Sequence, residues 1–111
     1  MGFIDSGVDA NHPQIKGLVI AEKDFTGEGP GDSTGHGTLV VLTALASHLE
    51  TSKLEPWVQK PDENHLPGIL MAKVVGLEPI DSTTLNYRLI LATRWLQSYD
   101  RDIVITNTVV P

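Results

Sequence analysis

The chain has 111 residues, of which 41% are hydrophobic and 20% charged. This balance indicates at most one soluble globular domain and excludes a disordered chain. The formal net charge of −6 argues against nucleic acid as a partner, because nucleic-acid binding needs a basic face. The absence of cysteine excludes disulfides, thiolate metal sites and a cysteine nucleophile.

Strands and helices are predicted to alternate along the first half of the chain. Residues 1–5 predict a buried strand, residues 17–25 a second strand, and the glycine-rich residues 26–35 a loop. Residues 36–49 predict a helix that is apolar on nearly all sides and therefore buried. Its main apolar stripe consists of Leu39, Leu42, Ala46 and Leu49. Residues 50–67 contain three prolines and predict a long surface loop.

The second half of the chain repeats this alternation. Residues 68–75 predict a strand that is apolar on both faces, as in a covered parallel sheet. Asp81 offers an N-cap for a second helix. The apolar face of that helix consists of Leu85, Leu89, Ala92, Leu96 and Tyr99. Residues 102–110 predict a fourth strand, so the pattern favours an α/β fold with a parallel sheet. Because both ends fall on strands, we expect a partial domain.

Two side chains with acid–base chemistry stand at the ends of predicted elements. Asp5 ends the first strand, where functional groups collect in open parallel sheets. His36 lies between Gly35 and Gly37 at the start of a helix, where backbone can approach it closely. An aspartate and a histidine in contact form two thirds of a catalytic triad. The structural alternatives are a turn-capping aspartate and a histidine that only binds a loop.

The order of three motifs resembles that of the subtilisin-like serine proteases. Residues 4–9 read Ile-Asp-Ser-Gly-Val-Asp, His12-Pro13 follows, and residues 35–38 read Gly-His-Gly-Thr. Scaffold segments at 71–75, 90–96 and 102–107 extend the similarity over the chain, except at residues 50–66. The resemblance implies a three-layer α/β fold and hydrolysis of peptide bonds by a serine endopeptidase. It also implies that Asp5 orients His36 and that His36 deprotonates a serine.

The same resemblance implies further contacts and two missing groups, the nucleophilic serine and the asparagine of the oxyanion hole. The segment Asn107-Thr108-Val109 falls where the family has a substrate-pairing Ser-Leu-Gly, and the loss of that glycine affects the first specificity pocket. Many members bind calcium through an aspartate at the position of Gln14; a neutral amide is a weaker calcium ligand, so no metal or other cofactor is expected. The family's nucleophilic serine lies in a Gly-Thr-Ser segment, and no serine of this chain stands in such a segment. The serines are Ser6, Ser33, Ser47, Ser52, Ser82 and Ser98.

The chain alone is therefore expected to be inactive, with the remainder of the catalytic domain or a second chain supplying the serine. Three interpretations stay open: part of an active protease, a pseudoprotease or peptide-binding module, and a nucleotide-binding α/β domain. The third is disfavoured because the glycines of residues 27–37 punctuate a long loop. A peptide or protein is the expected partner. No apolar run approaches the roughly 20 residues of a bilayer span and no leader is visible, which favours the cytoplasm.

Overall fold

The computed structural model describes residues 1–54, 68–99 and 105–107. The strands and helices in these ranges follow one another in the order that the sequence predicts. In chain order the elements are β1 (Gly2–Asp5), β2 (Val19–Asp24), α1 (His36–Leu54), β3 (Ile69–Lys73), α2 (Ser82–Gln97) and β4 (Ile105–Asn107).

The described strands form one parallel sheet in the order β2-β3-β1-β4. The strand β1 is central, with Asp5 beside Lys73 of β3 and Ile4 beside Asn107 of β4. Because the strands are parallel, the carboxyl ends of these three strands meet at one edge of the sheet. Asp5, the last residue of β1, therefore lies at that edge between the ends of β3 and β4.

The sheet is covered on both faces, because successive residues of a strand point to opposite sides. One core joins β1 and β3 to α1: Phe3, Val8, Ile15, Val41, Leu45, Ile69 and Met71. The other core joins the same strands to α2: Ile4, Leu70, Ala72, Val74, Ala92 and Leu96. The result is a three-layer α/β arrangement, compatible with part of a subtilisin-like domain.

The orientation of α1 differs from the prediction. Its buried side chains are Val41 and Leu45, whereas Leu39 is 62% exposed. These two follow Gly37 at a spacing of four residues, which places all three on one helical face. Gly37 is buried without a side chain, so this face can approach the sheet closely. The side chains of α1 are described up to residue 48. For these side chains the prediction of a helix buried on nearly all sides is wrong.

The boundaries of two elements also differ from the prediction. The helix α1 continues to Leu54, so residues 50–54 are helical and not loop. They contain neither proline nor glycine, and the first helix breaker in sequence is Pro56. The rest of the predicted loop, residues 55–67, lies outside the described residues. The strand β2 begins at residue 19, because Leu18 closes a turn onto the carbonyl of Ile15.

The helix α2 agrees with the prediction. Asp81 caps it by accepting a hydrogen bond of 2.7 Å from the backbone N–H of Thr84. Ala92 and Leu96 are buried on the expected face, and Leu89 packs against them. Of the predicted fourth strand, only residues 105–107 belong to the described residues, and they pair with β1.

Candidate catalytic site

The end of β1 holds a buried carboxylate against an exposed imidazole. The Asp5 side chain is 1% exposed and the His36 side chain 41% exposed, and 2.7 Å separates Oδ1 of Asp5 from Nδ1 of His36. The same Oδ1 accepts a 2.7 Å hydrogen bond from the backbone N–H of Ser6. Because an ionised carboxylate only accepts hydrogen bonds, Nδ1 carries the proton that joins the two side chains. In the neutral ring Nε2 is then the acceptor.

The position of His36 is fixed by close contact between α1 and the turn after β1. A Cβ atom on Gly37 would overlap the carbonyl oxygen of Gly7, so the backbones meet without side chains between them. The buried N–H of Gly37 donates to Oγ of Ser6 at 2.9 Å. One residue further on, Oγ1 of Thr38 accepts from the backbone N–H of Asp9 at 2.9 Å. The first turn of α1 is thus tied to the segment that carries Asp5.

A second carboxylate, Asp32, joins the same two segments. Its Oδ1 accepts hydrogen bonds from Oγ of Ser6 at 2.8 Å and from the N–H of Gly35 at 2.9 Å. Its Oδ2 accepts from the N–H of Thr38 at 2.8 Å. Partial burial raises the pKa of Asp32, but the hydrogen bonds from Thr38, Ser6 and Gly35 outweigh burial and hold that pKa below its usual range. Asp32 is therefore favoured as an anion at the start of α1.

Ser6 is the serine nearest in sequence to Asp5, and its hydroxyl is already engaged. It accepts from Gly37 and donates to Asp32, so it bridges two segments of the site. Among residues 1–54, 68–99 and 105–107, no serine hydroxyl is hydrogen-bonded to the ring of His36. The described part of the chain thus presents the imidazole and its carboxylate partner without a serine on Nε2.

The remaining predicted site residues fall in different places. Asn107 ends β4 beside Ile4, one residue before Asp5. Thr108 and Val109 lie outside the described residues. Gln14 is exposed in a turn, where its N–H donates to Nδ1 of His12 at 3.1 Å. In the ranges that the structure describes, no three His, Asp or Glu side chains converge as a metal site requires. The expectation that the family's calcium site is lost at Gln14 stays a prediction.

Sequence reasoning missed the contributions of Ser6, Asp32 and Lys73. Asp32 stands just before a helix, which is a helix-start signal. Lys73 is the one charged residue in the strand Ile69–Lys73, and it is buried there at 4% exposure. These two observations could have marked Asp32 and Lys73 as structural parts of the site.

No helix within the described ranges is long and apolar enough to cross a membrane.

Comparison with known proteins adds partial similarities. No family model and no solved structure matches the chain. An intracellular serine protease of Paenibacillus polymyxa is 36% identical over 56 residues, covering 45% of this chain and 17% of that protein. The subtilase-type proteinase RRT12 of Saccharomyces cerevisiae is 47% identical over 38 residues, covering 34% of this chain and 8% of that protein. The matched stretches thus span less than a fifth of either relative.

These relatives, the order of the motifs and the fold lead to the same family. One relative is named as a serine protease and the other as a subtilase-type proteinase. In the fold, the motif at residues 4–9 lies at the end of β1 and the motif at residues 35–38 lies at the start of α1. The chain therefore resembles the subtilisin-like serine proteases.

Proposed function

We propose that this chain supplies the aspartate and the histidine of an Asp–His–Ser triad in a subtilisin-like serine endopeptidase. In this proposal the chain is the amino-terminal portion of the catalytic domain. The observation that carries the proposal is the 2.7 Å contact between Nδ1 of His36 and Oδ1 of Asp5, with the carboxylate buried and the imidazole exposed.

This arrangement suits general acid–base catalysis. Asp5 accepts the Nδ1 proton of His36 and thereby selects the tautomer in which Nε2 can accept a proton. Nε2 takes the proton of a serine hydroxyl as that oxygen attacks the peptide carbonyl. The imidazolium, stabilised by the Asp5 carboxylate, then returns the proton to the leaving amine. The exposed imidazole edge leaves room for a serine and a peptide to approach.

The nucleophile is proposed to come from the remainder of the catalytic domain or from a second chain. The engagement of the Ser6 hydroxyl with Gly37 and Asp32 supports this view. The substrate is a peptide or protein, with Asn107, Thr108 and Val109 as its expected backbone contacts. Without a nucleophile the 111-residue chain is inactive alone. The name of the Paenibacillus relative supports a location inside the cell.

The test is to express the natural reading frame that encodes this chain and to assay cleavage of casein and of a chromogenic peptide. We expect His36→Ala to lower kcat on the order of 10⁶-fold and Asp5→Asn on the order of 10⁴-fold. His48→Ala, on the same helix, is the control and should leave kcat unchanged. Full activity in His36→Ala would refute the proposal. Peptide binding without cleavage in the unaltered protein would favour the pseudoprotease instead.

A further inference from the structure

Lys73 is a buried cation that the proposed acid–base chemistry does not use. It is the last residue of β3, pairs in register with Asp5, and is 4% exposed. An ammonium group removed from water is costly unless polar partners replace its hydration. Its Nζ donates to the carbonyl oxygens of Gly29 and Gly31, each at 3.0 Å. Both carbonyls belong to the glycine-rich loop before His36.

The charge of Lys73 also acts on a carboxylate that shapes this loop. Oδ2 of Asp24 accepts from the N–H of Gly29 at 2.9 Å, and its Oδ1 accepts from the N–H of Thr26 at 2.8 Å. Burial raises the pKa of Asp24, but the hydrogen bonds from Thr26 and Gly29 and the charge of Lys73 outweigh burial and hold that pKa below its usual range. Lys73 therefore holds the middle of the loop, while Asp24 holds its beginning.

Contacts continue from this ammonium group to the catalytic pair. The carbonyl of Gly31, which accepts from Lys73, lies where a Cβ atom on Gly7 would stand. The carbonyl of Gly7 in turn lies against Gly37, directly after His36. The residue after Gly31 is Asp32, which binds the first turn of α1. A shift of the Gly31 carbonyl would thus displace His36 through two sets of contacts. One runs through Gly7 to Gly37, and the other runs through Asp32 to the first turn of α1.

We propose that Lys73 is a positioning residue for the contact between Asp5 and His36. Its ammonium group is a built-in cation that holds the Gly29 and Gly31 carbonyls, so that Gly31 supports Gly7 and Gly7 supports Gly37. The inference rests on the proposed function only where it takes Asp5 and His36 to be catalytic. The distance between Asp5 and His36 can be tested whether or not the protein cleaves peptides.

The test is nuclear magnetic resonance of the chain with ¹⁵N-labelled histidine, at a temperature where each variant is folded. The observable is the Nδ1 proton of His36, which moves downfield when it is hydrogen-bonded to Asp5. We expect Lys73→Met to broaden or lose this signal. Lys16→Met, which removes an exposed lysine, is the control and should keep the signal. An unchanged signal in folded Lys73→Met would overturn the proposal, even if that variant is less stable.

A second variant covers the case in which Lys73→Met does not fold. Lys73→Ala removes the atoms of one n-propylammonium ion, so adding that ion should restore the Nδ1 proton signal in a saturable way. The neutral analogue 1-propanol should restore less. Absence of rescue by n-propylammonium, together with failure of Lys73→Met to fold, would overturn the positioning role. Absence of cleavage by the unaltered protein from the natural reading frame, with the Nδ1 proton signal intact, would instead count against the proposed function.

Discussion

The α-carbon of Gly37 faces the carbonyl group of Gly7 so closely that no Cβ atom fits between them. This contact joins the helix that carries His36 to the turn that follows Asp5. It also selects the face of α1 that meets the sheet, since Val41 and Leu45 lie on the same side as Gly37. A single glycine therefore sets both the helix orientation and the geometry of the contact between Asp5 and His36.

Gly37→Ala should destabilise the protein, although Gly to Ala within a helix usually stabilises by about 1 kcal/mol. We expect a loss of about 1–3 kcal/mol in the free energy of unfolding, because the added methyl group overlaps the Gly7 carbonyl. Urea unfolding measures this loss. Gly17→Ala has open space around it but a φ of +86°, and so isolates backbone strain of about 1–2 kcal/mol. A stabilised Gly37→Ala variant would contradict the observed contact.

Asp32 should make the protein sensitive to acid. Its pKa is lowered in the folded state, so its stabilising effect is fully present above the unfolded value of about 3.9. That effect is lost as the pH falls through the lower folded value, because the unfolded chain binds the proton first. Unfolding free energies measured between neutral pH and acid should therefore decrease less steeply in Asp32→Asn than in the unaltered chain.

At neutral pH, Asp32→Asn should cost about 1–3 kcal/mol, because an amide cannot accept from Ser6, Gly35 and Thr38 at once. The control is Asp81→Asn, which removes another carboxylate of lowered pKa, held there by the hydrogen bonds of Thr84. Asparagine caps a helix about as well as aspartate, so little change is expected there. Equal acid sensitivity in Asp32→Asn and the unaltered chain would refute this role of Asp32.

Ser6→Ala should reveal the bridge between Gly37 and Asp32. The substitution leaves the buried N–H of Gly37 without its 2.9 Å acceptor, which should cost about 1–3 kcal/mol in chemical unfolding. Ser98→Ala removes an exposed hydroxyl that donates to the carbonyl of Trp95, and we expect a change within about 0.5 kcal/mol. Comparable losses in both variants would mean that the Ser6 bridge has no special weight.

A pair of leucines on α1 tests which helical face is buried. Leu45 is 7% exposed, so Leu45→Ala should lower the free energy of unfolding by about 2–5 kcal/mol. Leu39 is 62% exposed, and Leu39→Ala should change it by less than about 0.5 kcal/mol. Thermal unfolding of the two variants side by side gives the comparison. The reverse order of losses would restore the stripe expected from sequence.

The alternation of strands and helices was predictable because apolar segments and breakers mark each element. The orientation of α1 was not, since Leu39, Val41 and Leu45 are all apolar and periodicity alone does not rank its faces. The contact between Gly37 and Gly7 decides the matter, and it joins segments distant in sequence.

The candidate site divides in the same way. Asp5 and His36 stand in short motifs whose residue types are typical of one chemistry, and the structure brings them to 2.7 Å. The partners of Asp32 and Lys73 depend on the path of the glycine-rich loop. That path arises from positive φ angles at glycines such as Gly29 and Gly31 and from the hydrogen bonds that Lys73, distant in sequence, donates to their carbonyl oxygens. No pattern in the sequence specifies such contacts.

The central place of β1 in the sheet has a consequence for how the protein folds. Gly2 pairs with Leu70 on one side and with Ile105 on the other, so the first strand waits for partners far along the chain. Closing such long loops costs conformational entropy before the contacts between the strands can stabilise the fold. Pairings between residues far apart in sequence therefore slow folding. During synthesis the apolar residues Phe3 and Ile4 emerge long before their neighbours and stay exposed to chaperones or to aggregation. The contact between Asp5 and His36 is accordingly expected to form late in folding, after the distant strands have docked.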